Sequence, residues 1–321
     1  MQAALGEDTL EPAFYLQFAE RVRDHVDSIK SLKRTKEFLP MPVRIVQSKQ
    51  NARLKELRRA LAQPGRGGLG VAGGIAGGIA GIEGPNLIAE AVRAGLAIEC
   101  VFVAQDAERL LDGLQLEPHT EVLLLPTEIL ASALTTDTPQ PVAALVRPTQ
   151  WGWDDILEET RKTMPLVLIL AGIQDPGNLG TIVRSAEAFG ATGMVALPGT
   201  VSAWNPKAVR ASAGSVFRVP LLASEAEDCF ERLRKAGVTV WTTATHDALE
   251  VERADLARPA ALIIGNEGNG VPPEVAAQAG SSLTIPCPGP VESLNAAVAA
   301  SVLLYEAARQ RAQRKSARGV R

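Results

Sequence analysis

Five apolar runs in the second half of the chain constrain its fold more than any other feature. They are Leu166–Ala171, Met194–Leu197, Val238–Thr242, Ala261–Ile264 and Leu283–Ile285. None alternates apolar with polar residues, so each predicts a strand buried on both faces. That is the pattern of a parallel sheet covered by helices. Helical spacing lies between them: Leu179, Ile182, Val183, Ala186 and Phe189 form one stripe, with Gly190 as its stop, and Ala226–Lys235 forms another. Ligands of such sheets bind beyond the carboxyl ends of the strands. The loops to read are therefore those after Ala171, Leu197, Ile264 and Ile285.

The first half is less regular. Leu10, Phe14, Phe18, Val22, Val26 and Ile29 predict an amphipathic helix before a break at Pro40 and Pro42. Asn51 is placed to cap a helix through Leu54, Leu57 and Leu61 that stops near Pro64. Gly67–Gly84 contains GGIA twice and lacks a GK[ST] ending, so it reads as a flexible insertion or turn. Pro85 opens a helix through Ile88, Ala91 and Val92 to Gly95, and strands follow at Ile98–Val103, Val122–Leu125 and Val142–Val146. That is a small α/β domain. We expect three parts: a helical extension over 1–40, the small domain over 41–150, and the parallel-sheet domain over 151–321, joined at Trp151, Trp153 and an acidic run.

Net charge is −3, which argues against a generic polyanion binder. From Lys30 to Arg59, however, ten Lys/Arg face only Glu37 and Glu56, a net of +8 that leaves −11 for the rest. Such a segment suits a phosphate-tracking arm or, equally, a solvated helix face. Cys100, Cys229 and Cys287 form no CxxC pair, the N-terminus has no signal pattern, and no run of about 18 apolar residues occurs. We expect a cytoplasmic protein without a membrane span. His25, His119 and His246 have no metal-ligand spacing, so no metal is expected.

Three loops carry the chemistry. The first runs Gln174-Asp175-Pro176-Gly177-Asn178-Leu179-Gly180-Thr181-Ile182-Val183-Arg184, a helix start suited to an anion, with Arg184 off the buried stripe. A tight turn with a solvated arginine explains it equally well. The second is Gly265-Asn266-Glu267-Gly268-Asn269-Gly270, whose glycines permit close backbone approach to a ligand. The third is Ile285-Pro286-Cys287-Pro288-Gly289 leading to Ser293-Leu294-Asn295 and an Ala-rich helix; Ser293 and Asn295 could be caps, site residues or both.

Taken together the loops resemble the three signature motifs of the SpoU (TrmH-like) branch of the SPOUT methyltransferases. These are an asparagine-to-arginine motif, a G-[SN]-E-G motif and an I-P-x-x-G…S-L-N motif, and the likeness spans roughly residues 165–310. The segment Lys207–Ser215 is also similar to that family. Glu83-Gly84 and Ala94–Glu99 look like the L30e-like substrate-binding domain often joined to these enzymes. The resemblance implies a deep trefoil knot and an S-adenosylmethionine-dependent methylation of an RNA ribose 2′-hydroxyl. It implies cofactor contacts at Gly265, Asn266, Glu267, Gly268, Ile285, Cys287, Ser293 and Leu294. It places catalytic roles on Arg184, Asn178, Glu267, Ser293 and Asn295, and it implies a homodimer. An L30e-like domain favours ribosomal RNA over tRNA as substrate. The rivals are a dinucleotide oxidoreductase, which lacks its acid in Leu197–Val201, and a binding-only RNA protein on the same fold. The basic tail Arg311, Arg314, Lys315, Arg318 and Arg321 reads as a frayed end with RNA contact as the alternative.

Overall fold

The computed structural model describes residues 42–62, 78–157, 164–244, 247–291 and 293–319. The expected helix at 10–30 and the basic residues Lys30–Lys36 lie outside them. In chain order the elements begin with β1 (Val43–Ile45), α1 (Ala52–Ala62), β2 (Ala80–Glu83), α2 (Pro85–Arg93), β3 (Ala97–Ala104), β4 (Glu121–Leu125), α3 (Thr127–Ala131), β5 (Val142–Arg147) and α4 (Trp153–Leu157). They continue with β6 (Leu166–Ala171), α5 (Pro176–Ala188), β7 (Gly193–Ala196), α6 (Pro206–Ala211), β8 (Leu221–Ala223), α7 (Ala226–Lys235), β9 (Thr239–Thr243) and β10 (Leu249–Glu250). Last come β11 (Ala260–Gly265), α8 (Pro273–Ala276), β12 (Ser281–Thr284) and α9 (Ala296–Gly319).

Two sheets result. The first has the order β1-β4-β3-β5-β2, with β1, β4 and β3 parallel and β5 antiparallel to its neighbours β3 and β2. Asn51 caps α1 as expected, its Oδ1 accepting from the Leu54 amide at 3.2 Å. The expected flexible stretch is wrong at its end, because Ala80–Glu83 is a buried strand. Its glycine is there for packing: a Cβ on Gly81 would lie 2.9 Å from Leu61 Cγ of α1. Small residues that let a helix sit close on a strand look, in sequence, like a linker.

The second sheet has the order β10-β12-β9-β11-β6-β7-β8, and every neighbouring pair is parallel. Strand β6 shows why the apolar runs lack alternation. Leu166, Leu168 and Leu170 face one core with α5 and α9, while Val167, Ile169 and Ala171 face another with α7. The chain runs outward from β6 through β7 to β8, then returns on the far side, where β11 pairs with β6. The order therefore reverses between β6 and β11, the point where such sheets open a crevice at their carboxyl ends.

The two sheets share one hydrophobic core. Ile82, Ile88, Val101 and Val103 of the first belong to the same cluster as Leu166, Leu168, Val209 and Val216 of the second. An ionic clamp reinforces the join: Arg218 Nη1 donates to Glu90 Oε2 of α2 at 2.7 Å and Nη2 donates to Glu187 Oε2 of α5 at 3.1 Å.

Two further expectations change. Part of the basic stretch is engaged, since Arg44 pairs with Glu121 and Arg53 pairs with Glu121, Glu56 and Glu99. The tail is not frayed through Arg314. Arg311 donates to the carbonyls of Met164 (2.6 Å), Pro165 (2.8 Å), Arg258 (2.8 Å) and Leu256 (3.0 Å). Burial among these groups pushes the Arg311 pKa down to about 10. No helix among the described residues is long and apolar enough to cross a membrane.

Candidate active site at the sheet switch point

The crevice between β6 and β11 is lined by the three loops singled out from the sequence. Asp175 opens α5: its Oδ2 accepts from the Asn178 amide at 3.1 Å, and Pro176 at the first helical position needs no partner for a missing N–H. Asn178 is thereby fixed in the first turn, half-exposed toward the crevice.

Glu267 crosses to it from the loop after β11. Its Oε1 accepts from Asn178 Nδ2 at 2.9 Å and from the Asp175 amide at 3.3 Å, and its Oε2 accepts from the Gln174 amide at 3.3 Å. Burial pushes the Glu267 carboxyl up. The Asn178 amide, its own backbone N–H and the Gln174 and Asp175 amides together outweigh that, so it sits below the ordinary glutamate value. A carboxylate bonded by several donors stays ionised at neutral pH.

The loop holding Glu267 is itself braced. Asn266 Nδ2 donates to the Gly172 carbonyl at 2.7 Å, while its Oδ1 accepts from the Gly268 amide at 2.9 Å and the Asn269 amide at 3.3 Å. Asn266 also exchanges backbone hydrogen bonds with Gly270. That fold-back demands a glycine at 265, where a Cβ would lie 2.6 Å from the Gly270 carbonyl oxygen.

The third loop joins through Asn295. Its Nδ2 donates to Asn178 Oδ1 at 3.0 Å, and its Oδ1 caps α9 by accepting from the Ala297 amide at 2.9 Å. One side chain thus caps α9 and bonds to Asn178 of the first loop. Both ends of the Asn178 amide are taken, one by a carboxylate and one by an amide, which removes its freedom to flip.

Asn178, Glu267 and Asn295 are thus brought together. Arg184 is not: it lies six residues beyond Asn178, about 9 Å along the helix axis, exposed, with no hydrogen-bond or ion-pair partner among the described residues. Ser293 lies ahead of the helix, exposed, and makes no described contact with the cluster. Ile285 and Leu294 are half-buried, whereas Cys287 is exposed with a free thiol. Lys207 is a site neighbour to which the sequence reading gave no role. Its Nζ donates to Asp175 Oδ1 at 2.7 Å, and that bond, opposed by burial and helped by the Gly177 and Asn178 amides, holds the Asp175 carboxyl below its usual range.

The donor set suits an adenosyl ligand better than a metal. No group of three or more His, Cys, Asp or Glu among the described residues is arranged to hold a metal ion. The loops instead offer the small-residue run Gly265–Gly270, the half-buried apolar residues Ile285 and Leu294, and the exposed residues 286–291. Apolar walls with exposed peptide groups recognise a flat heterocycle by stacking and backbone hydrogen bonds.

Residues 165–305 match the SpoU rRNA Methylase family, and residues 78–144 match the MRM3-like substrate binding domain. The chain is 33% identical over 224 residues to the 23S rRNA (guanosine(2553)-2′-O)-methyltransferase of Bacillus subtilis, covering 70% of this chain and 86% of that protein. It is 36% identical over 177 residues to the 23S rRNA (guanosine-2′-O-)-methyltransferase of Pseudomonas putida, covering 54% and 71%. Among solved structures it is similar to the SpoU methyltransferase AviRb of Streptomyces viridochromogenes in complex with the cofactor AdoMet. That likeness has a TM-score of 0.69 at 29% identity over 82% of this chain and 98% of that one.

Proposed function

This chain belongs to the SpoU rRNA methylase family, and from that premise we propose that it transfers the methyl group of S-adenosylmethionine to a ribose 2′-hydroxyl of ribosomal RNA. The observation that carries the reading is the Glu267–Asn178–Asn295 chain of hydrogen bonds, which ties all three motif loops together at the sheet's switch point.

S-adenosylmethionine supplies a sulfonium methyl carbon open to in-line attack by the hydroxyl oxygen. On this reading Gly265, Asn266, Gly268, Ile285, Cys287, Ser293 and Leu294 hold it, with Glu267 fixing the loop around it. Asn178 and Asn295, locked by their mutual bond, orient the ribose. A guanidinium donates hydrogen bonds and does not take up the hydroxyl proton. We therefore assign Arg184 to gripping a neighbouring phosphate and favouring charge that develops on the 2′-oxygen.

Arg184 leads to the oligomer. It projects from α5 between the Gly180 row, which packs on α6, and Thr181. Thr181 lines an apolar groove with Ala297, Val298, Ser301, Val302 and Tyr305 of α9. Val298 and Tyr305 are 48% and 55% exposed, although Leu303 of the same helix is fully buried in the core. We propose that a second copy covers this groove and brings Arg184 to its partner's site, and that the segment from β11 to α9 forms the trefoil knot implied by the family. The same reading makes 1–40 an extension, 41–150 the RNA substrate-binding domain and 151–321 the catalytic domain. Reduced thiols at Cys100, Cys229 and Cys287 suit a cytoplasmic setting.

The test is transfer of labelled methyl from S-adenosylmethionine to unmodified ribosomal RNA, with tRNA alongside, followed by digestion to nucleosides. Label in a 2′-O-methylnucleoside that disappears with Arg184→Ala supports the reading. Label on a base, or cofactor binding without transfer to either RNA, refutes it.

A further inference from the structure

The proposed reaction needs an RNA strand held beside Asn178. Three exposed cations stand on the outer surface of the α5–α6 pair: Arg184, Lys207 and Arg210. The packing of the two helices sets their arrangement. Gly180 lies against α6 so closely that a Cβ there would stand 2.6 Å from Ala211 Cβ, and one on Gly177 would stand 3.3 Å from Lys207 Cε. Gly180 thus packs against Ala208–Ser212, and the Lys207 side chain reaches the start of α5. Lys207 and Arg210, three residues apart, share the exposed side of α6 with Cβ atoms about 5–6 Å apart.

The segment that carries Lys207 and Arg210 has no acidic residue of its own. From Ala188 to Ser224 the chain contains no Asp or Glu, although it holds 36 acidic residues in all. Arg218 in this stretch is consumed by Glu90 and Glu187. Among the described residues Lys207 pairs only with Asp175, and both side chains remain open to solvent. Arg210, like Arg184, has no hydrogen-bond or ion-pair partner among the described residues. An exposed surface pair contributes little to stability, so Lys207 can leave Asp175 for a phosphate at little cost.

We propose that α6 is a phosphate ledge: Lys207 and Arg210 grip backbone phosphates of the RNA strand whose ribose is presented to Asn178. This rests on the reading above that the substrate is RNA. The ledge sits beside the first motif loop, so a strand held there passes over the crevice. Phosphate contacts of this kind fix register and orientation and carry no base sequence.

The experiment uses the full chain and an unmodified 23S ribosomal RNA transcript. It compares wild type with Arg210→Gln, Arg210→Lys and the double variant Lys207→Gln/Arg210→Gln. RNA binding is read by fluorescence anisotropy over a salt series, S-adenosylmethionine binding by calorimetry, and methyl transfer by KM and kcat. The double variant should lower the slope of log affinity against log salt by about 1–2. It should raise the KM for RNA about tenfold or more with kcat within a few fold, and leave S-adenosylmethionine affinity unchanged. Arg210→Lys should keep the wild-type slope. An unchanged slope and KM in the double variant overturn the ledge. So does a fall in kcat alone, which would mean that Lys207 acts through Asp175 on the catalytic loop. Because the slope is read by binding, wild-type protein that binds RNA without methylating it refutes the methyltransferase reading and leaves the ledge standing or falling on its own result. Wild-type protein that does not bind RNA refutes both.

Discussion

Replacing Asn178 by Asp puts the site's hydrogen-bond chain under a calculable load. In the native crevice the Asn178 amide nitrogen donates to Glu267 Oε1 at 2.9 Å. Asn178→Asp keeps the shape and replaces that donor by a second carboxylate oxygen. Two unit negative charges at this separation repel by about 6 kcal/mol at an effective dielectric of 20 and by about 1.4 kcal/mol in bulk water. Glu267 is exposed to solvent at one side, so the cost lies between, about 2–4 kcal/mol at neutral pH. The pair avoids it by sharing a proton, which raises its folded-state pKa above that of the unfolded chain. Stability from such a shared proton is full below the unfolded carboxylate range and is lost as pH rises through the raised native value. In urea titrations Asn178→Asp should therefore be much less stable than Asn178→Ala at pH 8 and should approach it near pH 4.5. The double variant Asn178→Asp/Glu267→Gln should recover most of the loss, because one charge is gone. Equal stability of Asn178→Asp and Asn178→Ala at pH 8 would refute the contact.

Three other expectations test separate parts of the molecule. Arg218→Ala should cost about 1–3 kcal/mol in denaturant unfolding. Arg218 also holds Glu187 below the usual carboxylate range. The stability it lends is present above about pH 4.3 and lost as pH falls through the depressed native value, so the variant's acid unfolding profile should be flatter than wild type. Arg311→Met should lower stability by about 2–4 kcal/mol by stranding carbonyls that only a forked guanidinium reaches; Arg311→Lys should recover less than half. Val298→Glu, in the exposed α9 groove, should leave the melting temperature of isolated subunits within a few degrees and yield monomers in sedimentation equilibrium; dimers retained in the variant would argue against the groove as the interface.

Long apolar runs betray strands buried on both faces, and glycine or asparagine loops after them betray a crevice, so the parallel sheet and its three site loops were legible in the residues alone. What escaped was short or non-local. Strands β1, β8 and β10 have only two or three residues, less than one useful period. Strand β2 was hidden by the small residues that let α1 lie on it. The partners of Arg311 are backbone carbonyls, and a carbonyl leaves no mark in a sequence. Asn178, Glu267 and Asn295 could be nominated individually from the motifs. Their mutual bonds, up to 117 residues apart, follow from the strand order, which periodicity does not contain. Arg184 shows the opposite limit: the motif names it, yet within one chain it stays away from the cluster.

That spacing also sets when the protein can act. Asn178 has been synthesised long before the segments that complete it. Glu267 follows 89 residues later and Asn295 117 residues later. On a translating ribosome, β6 and α5 can emerge while β11, its neighbour in the finished sheet, does not yet exist. Until Asn295 has left the exit tunnel, the nascent chain holds a half-built crevice. A methyltransferase whose substrate is ribosomal RNA would thus be silent until that third segment has emerged from the machine that makes it.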